Sequence, residues 1–179
     1  MPHVFEPAAS GRSKCRGCGR ALEKGEIRFG ERVANPFADG ETTLWFHPMC
    51  AAYKRPDSLL EALATATGDG LDRVALERAA RASLRQRRLQ RIDGAERTAR
   101  GQARCRQCKE VIERGAWRIR LVFFEEGRFN PSGFIHATCS KAYFETDDIA
   151  EQVLYFSANL AEAEREELAS LLADKNEMK

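Results

Sequence analysis

Nine cysteine and histidine side chains occur in this chain, and eight of them fall into one pattern written twice. Cys15, Cys18, His47 and Cys50 read C-x2-C-x28-H-x2-C, while Cys105, Cys108, His136 and Cys139 read C-x2-C-x27-H-x2-C. All six cysteines are used, and of the three histidines only His3 is left over. An i, i+3 pair lets one tight turn aim two ligands at a single ion, and a second pair from a remote segment closes the loop. Zinc takes four thiolate or imidazole ligands tetrahedrally, and four protein ligands leave no position for water, so each set reads as a structural zinc site. Two competing readings are weaker. A disulfide framework does not call for histidine at a fixed place, and a redox C-x-x-C does not call for a distant H-x-x-C.

Length and composition make such a staple sensible. The 179 residues suggest one or two domains, and halves of about 90 residues bury only a marginal core. No run of about 20 apolar residues is present, so no membrane-spanning helix is expected. The start, MPHVFEPAAS, lacks a charged segment leading into an apolar one, so no secretory signal is expected either. The expected location is intracellular: nucleoid or cytoplasm in a bacterium, nucleus in a eukaryote. Arginine outnumbers lysine 22 to 7, which hints at a GC-rich genome. Net charge is only +2, but residues 1–100 carry 18 basic against 13 acidic side chains, and residues 101–179 carry 11 against 14. The first half is the basic one.

Matching ligands lie 90, 90, 89 and 89 residues apart, and Arg28 precedes Arg118 by 90. A duplicated domain is therefore expected, residues 1–92 and 93–179, with RIDGAERTARGQ (91–102) as linker. Each copy is expected to be α+β: a Cys-x2-Cys turn eased by Gly17 in the first, a short antiparallel sheet, the zinc site and packed helices. EIRFGERVA (26–34) and WRIRLVFF (117–124) read as strands, each followed by a polar hairpin or loop, at 34–43 and 125–133, and a short strand, LWFH or FIH. Helices are expected over 57–67 and 72–91, the latter with Leu76, Ala80 and Leu84 inward and Arg78, Arg81, Arg85 and Arg88 as a solvated basic stripe. Ala82-Ser83-Leu84 pairs with Ala169-Ser170-Leu171 at an offset of 87. Asn159 and Glu162 suggest a capping box for a last helix burying Leu168, Leu171 and Leu172.

Spacing separates this pattern from other zinc modules. C2H2 fingers end in paired histidines, and LIM domains have a much shorter interval with a second ligand set where this chain has Ala51-Ala52-Tyr53. The chain instead resembles the zinc fingers found in tandem at the amino terminus of poly(ADP-ribose) polymerase and singly in a eukaryotic DNA ligase. SGRSKC (10–15) is similar to that family's entry into the first cysteine, and NPFADGETTLWFH (35–47) to its stretch before the histidine. LDRVALERAARASL (71–84) and LAEAEREELASLLA (160–173) resemble its downstream helix.

The resemblance implies recognition of DNA strand breaks (nicks, gaps or ends) without sequence preference, in repair or damage signalling. Basic residues would grip phosphates and an apolar loop residue would stack on bases exposed at the break. Residue by residue, it assigns Arg12 and Arg28 to phosphate contact and Phe37, with a one-residue loop shift, to stacking. Thr42 departs from a second stacking position. Lys14 and Arg16 flank the first cysteine and join the candidates. In the second copy Gln102 replaces Arg12, Arg118 is kept, Phe129 supplies a loop aromatic, and Arg104, Arg106 and Lys109 offer substitute charge. Trp45 and Trp117 read as core. The expected cofactors are two zinc ions, and the expected partners are broken DNA and repair proteins, with no membrane and no small-molecule substrate. No Gly-rich phosphate loop or spare nucleophile suggests an enzyme. A zinc-stabilised protein–protein adaptor is the alternative function.

Overall fold

The computed structural model describes residues 2–174. Two compact units divide the chain. The first runs to Arg85 and includes Phe124–Asn130; the second comprises Gln86–Phe123 and the chain from Pro131.

The first unit contains a three-stranded antiparallel sheet in the order β1 (Val4–Pro7), β2 (Ile27–Ala34), β3 (Glu41–Phe46). Phe29 faces Phe5 on one side and Phe46 on the other in this register. Because β2 is central, it is buried beyond its apolar positions: Phe29 is buried, but so are Arg28 and Glu31, each of which has an opposite charge as partner. Ile27 and Val33, which alternate with Phe29's charged neighbours, are only half-buried. Three helices follow: α1 (Pro48–Lys54), α2 (Pro56–Thr65) and α3 (Arg73–Leu84). The first two open on proline, whose fixed φ and missing N–H suit the first helical turn. Asp72 caps α3 by accepting the Ala75 N–H at 3.0 Å. The Arg73 guanidinium donates back to the Leu63 and Ala66 carbonyls, satisfying the end of α2.

The second unit repeats the plan: β4 (Arg91–Arg97), β5 (Trp117–Glu125) and β6 (Arg128–His136) form a sheet in that order. A single 3-10 turn (Ala137–Cys139) leads into α4 (Ser140–Phe144), and α5 (Ala150–Tyr155) and α6 (Glu162–Ala173) follow. Trp117, Ile119 and Leu121 alternate inward and pack with Ile92, Ile135, Phe144, Val153 and Leu168.

Several expectations are corrected or sharpened. Residues 91–97 are the strand β4, not linker; Ile92 and Ala95 are buried, and a bulge between them absorbs Gly94. Of the hairpin or loop expected over 125–133, the structure has the hairpin: Glu126 and Gly127 both take positive φ in a two-residue turn, so β6 is nine residues long. The helix of 72–91 stops at Leu84, which is exposed; Ser83 takes the buried position. Ser170 is exposed, so the two helices align instead at an offset of 89, where buried Leu168 and Leu172 match buried Ala79 and Ser83. At α6 the cap residue is Ala161, whose N–H donates to the Glu164 carboxylate at 3.0 Å, in place of the expected Asn159 and Glu162.

Candidate metal centres and nucleic-acid interface

Each Cys-x2-Cys segment is a knuckle closed on itself and tied to the strand that carries the histidine. The Cys15 N–H donates to Arg20 O at 2.8 Å and the Arg16 N–H to Trp45 O at 2.9 Å. In the second copy the Cys105 N–H donates to Glu110 O and the Arg106 N–H to Phe134 O, both at 2.9 Å. Trp45 and Phe134 each lie two residues before their histidine, so backbone hydrogen bonds alone bring the two ligand pairs together. Gly17 is required by space: a Cβ there would lie 2.8 Å from Cys50 Cβ. Its counterpart Gln107 is accommodated in the second knuckle, where Lys109 takes the positive φ that Gly19 takes in the first.

The ligand atoms of each set lie within 4.8 Å of one another. His47 Nδ1 is 3.4 Å from Cys18 Sγ and 3.8 Å from Cys50 Sγ; His136 Nδ1 is 3.4 Å from Cys108 Sγ and 3.9 Å from Cys139 Sγ. Tetrahedral zinc, with bonds of about 2.3 Å to sulfur and about 2.1 Å to nitrogen, separates such atoms by about 3.6 Å. Both sets fit. The His47 Nε2–H donates to Ala21 O at 3.2 Å, which directs the Nδ1 lone pair at the sulfurs. Backbone N–H groups of Gly17 and His47 point at Cys15 Sγ, each at 3.3 Å, and the His136 N–H at Cys105 Sγ, also 3.3 Å.

The electrostatics call for a cation. The Cys15 and Cys18 sulfurs push the His47 imidazole up to about 10. Burial and the crowding sulfurs of Cys105 and Cys108 push the Cys139 thiol up to about 12. Burial opposes ionisation of Cys105 too, yet backbone N–H donors hold it down at about 7. With Cys15, Cys18, His47 and Cys50 holding one zinc ion and Cys105, Cys108, His136 and Cys139 the other, each ion supplies a cross-link between knuckle, strand and helix start. His3, the unused histidine, accepts the Arg32 N–H at 3.0 Å and is structural.

The residues assigned to DNA by resemblance separate sharply. Arg12, Lys14 and Arg16 are exposed on and beside the first knuckle, without an ion-pair partner among the described residues. Phe37 is 77% exposed on the loop between β2 and β3, where the Asn35 side chain accepts its N–H at 3.0 Å. Arg28, in contrast, is 8% exposed; it donates to Glu6 at 2.7 Å and Ser13 at 3.3 Å and lies 3.6 Å over the Trp45 ring. Arg118 repeats this arrangement with Glu96 and, at 3.8 Å, the Phe134 ring. Arg104 is exposed and donates to Lys109 O at 3.3 Å. Arg106 is pinned to Ser132 O and Oγ at 2.6 and 3.1 Å. Phe129 is packed: it belongs to the first unit, edge-on to Phe46 with centroids 6.4 Å apart and 5.0 Å from Phe124.

The residues missed in the sequence are Glu6 and Glu96. Both lie 22 positions before the arginine they bind, so extending the repeat ahead of the first cysteine would have found them.

Residues 6–86 match the family described as the poly(ADP-ribose) polymerase and DNA-ligase Zn-finger region. A poly(ADP-ribose) polymerase of Sarcophaga peregrina is 27% identical over 142 residues, 70% of this chain and 14% of that protein. One from Drosophila melanogaster is 33% identical over 60 residues, covering 33% of this chain and 6% of its own length. Poly(ADP-ribose) polymerase 1 of Gallus gallus is 37% identical over 54 residues, 29% of this chain and 5% of that protein. The chain thus spans a small fraction of each relative. Residues 6–86 carry the likeness to that zinc-finger region, and Cys105, Cys108, His136 and Cys139 repeat its Cys3His geometry in the second unit.

Proposed function

We propose that the chain binds DNA at strand breaks, independently of sequence, and serves repair or damage signalling as a recognition module without catalysis of its own. The observation that carries this reading is the first unit's surface. A zinc-pinned knuckle presents Arg12, Lys14 and Arg16 with no ion-pair partner among the described residues, and the β2–β3 loop of the same unit holds Phe37 in water. Exposing an aromatic ring that the core could have taken is informative when the fold spends backbone hydrogen bonds on shaping its loop: Asn35 N–H to Gly40 O at 3.0 Å and Phe37 N–H to the Asn35 side chain.

The physics fits a break. Cations on the knuckle attract phosphates of any sequence, and each one neutralised lowers the log–log salt slope by about 0.9. An aromatic ring stacked on an exposed base contributes about 1–3 kcal/mol whatever the base. An intact duplex hides those faces, and unstacking it costs a few kcal/mol that a discontinuity spares. The second copy supports the first less equally: its tight Glu126-Gly127 turn leaves no broad loop, and Phe129 is committed to packing.

Titrating a fluorescein-labelled nicked duplex and its intact counterpart, followed by anisotropy, tests the reading. Tighter binding to the nick, weakening steeply with salt, is expected. Equal affinity for both, or none at low salt, would leave the zinc-stabilised protein adaptor as the function.

A further inference from the structure

The ion pair between β1 and β2 is built twice. Glu6, Arg28 and Trp45 in the first unit correspond to Glu96, Arg118 and Phe134 in the second: a carboxylate, a guanidinium and an aromatic ring over which the guanidinium sits. In the first unit Gly30 makes room for this stack, since a Cβ there would come within 2.7 Å of the Trp45 ring. Arg28 also donates to Ser13, which sits between Arg12 and Lys14, and the Trp45 carbonyl holds the Arg16 N–H. The stack therefore lies directly beneath the segment whose cations face water.

A carboxylate and a phosphate offer a guanidinium the same pair of anionic oxygens. We infer that Glu6 is a built-in competitor of the DNA phosphate for Arg28, occupying the guanidinium until a backbone phosphate displaces it. This rests on the strand-break reading above.

Three features favour exchange over a permanent strut. The Glu6 side chain is 45% exposed and the Arg28 side chain only 9%, so opening the pair moves the carboxylate into water while Arg28 stays seated on Trp45 and Ser13. Arg28 Nε is buried with no hydrogen-bond partner among the described residues, an unused donor on the same guanidinium. The duplicated site is built more tightly: Glu96 Oε1 accepts two N–H groups of Arg118 at 2.9 and 2.6 Å, and its Oε2 accepts from Arg120 at 2.8 Å. Burial works against ionisation of Glu96, but those two arginines outweigh it and hold its carboxyl below the ordinary range. Freeing Arg118 thus requires breaking more contacts than freeing Arg28, which makes the first copy the place where exchange operates.

Glu6→Gln tests this, with Glu23→Gln as the charge control. Glu23 lies beside Gly11, near the same basic segment, and does not touch Arg28. On nicked duplex, Glu6→Gln should bind about two- to fivefold tighter than Glu23→Gln, the scale of one released ion pair. Its salt slope should steepen by about 0.9, as for one additional phosphate contact without a rival anion. In an Arg28→Gln background the gain should vanish. Should that background fail to bind zinc, the comparison of slopes between Glu6→Gln and Glu23→Gln decides alone. Equal affinity and slope for the two variants would overturn the inference while wild-type preference for the nick still upheld the function; loss of that preference would remove the function itself.

Discussion

Glu31 in β2 is 1% exposed in its side chain, and three donor atoms hold its charge: Arg55 Nε at 2.9 Å from both oxygens, Arg55 Nη2 at 2.7 Å and Ser58 Oγ at 2.5 Å. The duplicated unit performs the complementary experiment. At the equivalent positions, 90 and 89 residues on, stand Leu121 and Phe144, both buried in its core. Breaking a buried ion pair from one side strands a charge and costs about 3–5 kcal/mol, whereas replacing both partners with apolar groups is close to neutral. Arg55→Phe should therefore destabilise the first unit by about 3–5 kcal/mol, and Glu31→Leu likewise. Glu31→Leu combined with Arg55→Phe should recover to within about 1 kcal/mol of wild type, a coupling of at least about 2 kcal/mol in the double-mutant cycle. Loss of the Arg55–Phe124 stacking, 3.9 Å to the ring centroid, accounts for the remaining deficit. Hydrogen exchange read by mass spectrometry on zinc-loaded protein measures this, because first-unit peptides report separately from second-unit peptides. A single variant as stable as wild type, or a double variant no better than the single, would refute the reasoning.

Other outcomes follow from the same geometry. Phe37→Ala should weaken binding to nicked duplex by about 1–3 kcal/mol, five- to 150-fold, and leave thermal stability unchanged, since the ring is exposed. Phe129→Ala should do the reverse, lowering the melting temperature through lost packing on Phe46 and Phe124 while its effect on DNA affinity stays small; anisotropy and calorimetry on both variants check this. Arg12→Ala should reduce affinity more than Arg118→Ala, because Arg12 is unpaired and Arg118 is held by Glu96; the opposite order in an anisotropy titration would show that the second finger dominates. Under chelation the second site should release zinc first, since Cys108 is exposed and Cys139 half-buried while Cys15 and Cys50 are buried; a colorimetric zinc assay on Cys→Ala variants of each site resolves the order.

Ligand chemistry was fully legible in the sequence because metal coordination depends on residue type and local spacing, and both sets close as expected around His47 and His136. Helices α2 and α6 were legible from periodicity for the same reason: their signals are local. What stayed hidden depends on pairing across the chain. Strand β1 is only four residues long and β4 is polar and bulged, and only their partners β2 and β5 make them strands. Buried charges stayed hidden for that reason as well: Arg28 and Glu31 look solvated until Glu6, 22 residues before Arg28, and Arg55, 24 residues after Glu31, are placed beside them. Two loops of similar polar composition parted ways because Glu126 accepts positive φ next to Gly127, a conformation no composition announces. The site was thus readable in its metal chemistry and in the exposure of Phe37. It was unreadable in which arginines are already engaged.

Native mass spectrometry of the intact chain, under conditions that keep metal bound, tests the foundation most directly. Two structural centres predict a dominant species heavier than the bare polypeptide by two zinc ions, falling to one when Cys50 or Cys139 is replaced by alanine. A chain that folds and carries one zinc ion or none would contradict the duplicated Cys3His scaffold on which every other inference stands.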